Sequence, residues 1–184
     1  TATISMPART YGSNFEVLSG TTITASSATT TIQGNFLQNG TFSANSGAVL
    51  LNGTSQQTLS GTMSGSSAFY RLTIFNTSGT DATTSPSVIF LNAASTTNTF
   101  YASSSPSAGV KIRFPASATS TFQNIYLDGG AAETRVMPRS STSGTKFGFA
   151  VPGTRERISY VDFMDTNACS GDPSLDASGG TNLD

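Results

Sequence analysis

Short alternating runs recur along this whole chain, and they commit it to β structure. Val110–Phe114 (VKIRF) sets Val110, Ile112 and Phe114 on one side and Lys111 and Arg113 on the other. Lys146–Val151 repeats the alternation with Phe147, Phe149 and Val151. Period-two patterning marks a strand with one buried face. TIQGNFLQ, GTFSA, AVLLNG, FYRLTIFN, SVIFLN, NTFYA, TFQNIYLD, ETRVMPR and RISYVDF belong to the same series. Threonine and β-branched residues favour the pleated surface, and Gly, Asn, Ser and Pro interrupt it at short intervals. No window carries apolar residues at the i, i+3, i+4 spacing among good helix formers. The expected fold class is all-β, with about a dozen strands of ~4–8 residues.

Two architectures satisfy this pattern. Asn39-Gly40 and Asn52-Gly53 match type I′ turns, which would give hairpins and a β-sandwich. The favoured alternative is a parallel β-helix, a solenoid in which each strand stacks on one from the next coil. There Asn and Gly occupy corners that call for left-handed backbone. The stretch GNFLQNGTFSANSGAVLLNGTSQQTLSG reads as strand, small polar corner, strand, without hairpin symmetry. Coils of ~20–25 residues predict roughly seven to nine rungs and a body on the order of 35–45 Å tall.

Length permits one domain. Residues 1–28 read as an N-terminal strand segment able to act as a docking arm, 29–165 as the β-helical body, and 166–184 as an extended polar C-terminal segment. Charge is distributed unevenly. Arg9, Glu16, Arg71 and Asp81 are the only charged residues before Lys111, and the other fifteen follow.

Composition narrows the chemistry. Nearly a third of the residues are Ser or Thr, 10% are charged, and there is no His or Trp. A Ser-His-Asp triad is impossible without His, and one Cys with no His excludes the common zinc and haem sites. A net charge of −1 supplies no field for nucleic acid. No segment approaches the ~18 apolar residues of a membrane span. Cys169 is alone, so no intrachain disulfide can form. The chain opens TATISMPART with no visible leader, so either a leader has been removed or the chain is a fragment, and the composition leads us to expect a secreted protein.

Carboxylates are the remaining candidates for catalysis and for metal binding. Asp162 and Asp165 stand three apart and so point to opposite faces of a strand, which weakens a paired acid/base role. Asp165, Asn167 and Asp172 are a weak calcium candidate, with the hard oxygen ligands that ion prefers. Lys111 and Lys146 are the only lysines open to an isopeptide bond. Three N-glycosylation sequons occur, at Asn39, Asn52 and Asn76.

Gly34–Phe42 (GNFLQNGTF), Ala48–Gly61 (AVLLNGTSQQTLSG), Phe69–Asn76 (FYRLTIFN), Thr134–Thr145 (TRVMPRSSTSGT) and Val151–Ala168 (VPGTRERISYVDFMDTNA) together resemble repeat-rich bacterial cell-surface proteins of the parallel β-helix type. The resemblance spans most of the chain from about Thr29. It implies an extracellular β-helix with a structural or adhesive role and no catalytic residues.

The function expected is therefore a non-catalytic structural subunit of an extracellular filament, pilus or surface layer, a homopolymer joined through strand edges. Ala2, Ile4 and Met6 would form the docking strand. FYRLTIF and SVIFL are apolar on both faces, so Phe75, Ile89 and Leu91 would make lateral contacts. The alternative is a module that binds surface glycans, with Tyr11, Tyr101 and Tyr126 as stacking platforms. A polysaccharide-cleaving enzyme is the third reading.

Overall fold

In the computed structural model, residues 2–167 and the backbone of Thr181–Leu183 are described. The chain winds as a parallel β-helix. A nine-stranded sheet runs from Thr10–Tyr11 through Thr30–Ile32, Ala48–Leu51, Arg71–Ile74, Ser95–Ser103 and Thr119–Asp128 to Phe147–Ala150 and Thr166–Asn167. Arg155–Ser159 also pairs with Thr119–Asp128. A six-stranded second sheet stacks Phe15–Val17, Phe36–Gln38, Gln57–Gly61, Val88–Phe90, Val110–Phe114 and Val136–Ser140. A short third sheet holds Ala2–Met6, Thr21–Ala25 and Thr41–Ser43.

Register explains the alternation read from the sequence. Val49, Leu72, Phe100 and Ile125 form one inward column of the long sheet, and Ile32, Leu51, Ile74, Ala102 and Leu127 form another. All are buried. Stacking coils in parallel places like on like, and the core becomes columns of aliphatic groups with rings between them. Phe90, Phe114 and Phe147 lie face to face at 4.8 and 4.9 Å, and Phe100 covers Phe122 at 4.2 Å.

The hairpin reading of Asn39-Gly40 and Asn52-Gly53 fails, because both dipeptides turn corners between parallel strands. Their glycines serve close approach and not left-handed backbone. A Cβ on Gly40 would strike the carbonyl oxygens of Leu18 and Thr21, and one on Gly53 would strike that of Gln33. Successive corners of a solenoid press on each other, so a corner needs a missing side chain as much as a special φ. Left-handed conformations fall at other places, Asn45 and Ser46 among them.

Gln57 secures one such corner. It is buried, and its amide nitrogen donates to the carbonyls of Ile32 (2.9 Å) and Gly34 (2.6 Å). Its oxygen accepts from the Gly53 N–H (2.8 Å) and the Asn76 amide (3.0 Å). All four bonding capacities of the side chain are used.

Two expectations about organisation change. Residues 2–28 are not a separate arm: Ala2–Met6 pairs along its length with Thr21–Ala25, so the solenoid begins at once. Coils are also uneven. Thr22 pairs with Thr41, whereas Ile125 pairs with Arg155, so some coils are shorter and some longer than the ~20–25 residues expected. The short sheet stops where the 3-10 turn Gly65–Ser67 replaces a fourth strand, the Ser67 hydroxyl accepting the N–H of Phe42 at 3.2 Å. Within 166–184, Thr166–Asn167 and Thr181–Leu183 extend the ladders on Phe147–Gly148 and Asp162–Met164.

Candidate functional site

The first rung is the most distinctive surface. Ala2–Met6, Thr10–Tyr11 and Phe15–Val17 are the terminal strands of the three larger sheets. Among the described residues nothing pairs with their outer edges, which leaves a row of backbone N–H and C=O groups on one face of the molecule. Ile4 continues the inward column of Ile23 and Phe42. Those two are 9% and 0% exposed, but Ile4 is 51% exposed because no rung lies beneath it. Met6, offered as a docking residue, is buried in its own core, while Ala2 is exposed.

Beside Ile4 the core is sealed. Tyr11 meets Phe15 edge-on at 5.1 Å, and the Arg9 guanidinium lies 4.6 Å from the centre of the Tyr11 ring. Tyr11 is thus a lid on the phenylalanine column, with a cation over its own face, and not an open stacking platform.

The outer face of the long sheet carries an aromatic ladder. Tyr101 and Tyr126 are register partners and stack at 4.3 Å with 6° between their planes. Phe75 touches Tyr101 edge-on at 5.6 Å, and Arg71 sits 5.2 Å from the same ring. Arg157, paired in register with Tyr126, bonds Asp128 at 2.8 Å. One face of each of these two rings is therefore taken up by the other. Partial burial raises the Tyr126 phenol above its ordinary 10.0, with Tyr101 and Asp128 adding to the effect. Its neutral form is the one the fold favours, so its contribution to stability is intact below pH 10 and is lost as pH rises through the higher folded value. An alkaline titration followed by phenolate absorbance will show a late step that Tyr126→Phe removes; an unchanged titration would contradict this.

The two strands apolar on both faces have different fates. Ile89 is 7% exposed, so it is not a lateral contact. The segment between Asn76 and Val88 folds over that face: Ala82 is buried, and Arg113, beside Ile89 in the ladder, donates to the Thr83 carbonyl at 3.1 Å. Asp81 shapes the segment by accepting the N–H groups of Thr83 and Thr84 and the Thr84 hydroxyl. Those bonds, the Thr84 N–H first, hold its carboxyl below the usual carboxylate range. Phe75 (46%) and Leu91 (57%) remain exposed at separate corners.

Asp162 is held in an ion pair. Its carboxylate meets the Arg139 guanidinium at 2.8 Å, and both residues are buried. Arg139 also donates to the carbonyls of Pro138 and Asp162. The sequence reading missed this pair because a charge on an outward strand position reads as solvated. Asp165, one of the calcium candidates, accepts the Gly144 N–H at 3.1 Å. Asn167 is exposed at the end of the long sheet, and Asp172 lies outside the described residues, as does Cys169. Among the described residues no group of three His, Cys, Asp or Glu side chains could hold a metal ion. No helix among them is long and apolar enough to cross a membrane.

Fold and surfaces together define a parallel β-solenoid. No protein-family model, curated protein or solved structure matches the chain.

Proposed function

We propose that this protein is a structural subunit that assembles with copies of itself outside the cell, with the first rung as a docking face. One observation carries the reading: three sheets end in the same rung, and Ile4 stands half-exposed at the foot of a column that is otherwise buried. Pairing that edge with a further strand would satisfy its backbone groups and bury Ile4 together. The hydroxyl-rich, charge-poor composition supports the same reading, since it offers little self-repulsion to keep copies apart.

Electron microscopy and light scattering of the purified chain over a concentration series test it. Ordered polymers or defined oligomers are expected. Ile4→Glu will raise the concentration needed for assembly by about tenfold or more, because it trades buried apolar area for a charge at the joint. Its far-ultraviolet circular dichroism will be unchanged, since the side chain is already half in water. Dispersed monomers at every concentration, or assembly indifferent to Ile4→Glu, would overturn the proposal.

A further inference from the structure

The three sequons have different surroundings once the chain is folded. Asn76 is buried, and its amide nitrogen donates to the Ser55 carbonyl at 2.8 Å and to Gln57 at 3.0 Å. That nitrogen is the atom a glycan would be attached to. A sugar there would replace one of the two donated hydrogens and force a polar bulk into the corner secured by Gln57. Asn52 is half-buried, its side-chain oxygen fully covered, in the corner where Gly53 presses on the Gln33 carbonyl. Asn39 differs from both. It is exposed, and among the described residues its amide nitrogen reaches only the exposed Glu16 carboxylate, at 3.2 Å. Its backbone N–H is already fixed on the Val17 carbonyl, so the fold holds the main chain while the side chain points to solvent.

We propose that Asn39 is an acceptor site for an N-linked oligosaccharide, the sequon of this chain whose modification the fold accommodates. The donor class is an oligosaccharide carried on a lipid pyrophosphate. The Asn39 amide nitrogen attacks the anomeric carbon, a C–N bond forms, the bond from that carbon to the phosphate oxygen breaks, and the nitrogen loses one proton as the lipid pyrophosphate leaves. The inference rests on the extracellular part of the proposed function, because the transfer happens on a secretory route. It does not rest on assembly, since Asn39 lies at a lateral corner between stacked coils.

The test is cell-free translation of the full chain, fused to a secretory leader, into glycosylating microsomes. Mass spectrometry then gives occupancy at each Asn in protease-resistant and protease-sensitive fractions. Thr41→Ala and Ser78→Ala remove the Asn39 and Asn76 sequons while leaving both asparagines in place. Ser78→Ala is mild because its buried hydroxyl has no hydrogen-bond partner among the described residues. In the resistant fraction, a glycan on Asn39 alone is expected, and Thr41→Ala should remove it. Any chain modified at Asn76 should appear only in the sensitive fraction, and Ser78→Ala should empty that class. A bare Asn39 in resistant protein, or a glycan on Asn52 or Asn76 there, would overturn the inference. Light scattering on the same variants reports assembly separately.

Discussion

Phe114→Ala will destabilise the protein by about 3–5 kcal/mol, the range for removing a buried ring from a core that cannot collapse around the gap. Phe114 is fully buried and in ring contact with Phe90, Phe100, Phe122, Phe147 and Phe149. It joins coils above and below it, so the loss reaches three rungs. Each well-placed ring pair adds ~0.5–1.5 kcal/mol beyond the burial of its area. At this chain length the melting temperature should fall by roughly 10 °C, measured by differential scanning calorimetry. Phe114→Leu, which keeps most of the volume, should lose much less. Equal losses for the two variants would mean that the column is not packed as described.

Asp162→Ala will cost about 3–5 kcal/mol for a different reason. It leaves the Arg139 guanidinium buried without its counter-ion, and an uncompensated buried charge is among the most damaging single changes. Replacing both partners, Asp162→Leu with Arg139→Met, should recover most of that loss, because the pair's attraction roughly offsets its desolvation. Chemical denaturation of the two variants decides between roles. If Asp162→Ala left stability untouched, the residue would be free for other work, and the polysaccharide-cleaving reading would regain its strongest carboxylate.

Much of this fold was legible from period-two patterning. The inward residues of Val110–Phe114 are the buried ones, and inward Phe147 and Phe149 are buried too, although Gly148 between them is also covered. A strand's alternation reports which side chains share a face, but not what covers the other face. Ile89 and Phe75 look alike in sequence, yet the segment carrying Asp81 covers one and leaves the other exposed. The same gap hid the Arg139–Asp162 pair, whose members are 23 residues apart and meet only because consecutive coils stack. Asn39-Gly40 misled for a physical reason. A hairpin and a solenoid corner both exclude a Cβ, the first for φ and the second for contact with the coil beneath. Tyr101 and Tyr126 read as sugar platforms in the sequence because alternation leaves rings on an outer face without visible partners. Coil register alone reveals that they fall one above the other.

The ladders join residues about one coil apart, as Ala2 to Thr21 or Val110 to Val136. A chain emerging end-first from a ribosome or a pore would never need its far end to finish what it has begun. Any completed turn offers a template to its neighbours, so height can be added by accretion from whichever turn forms first.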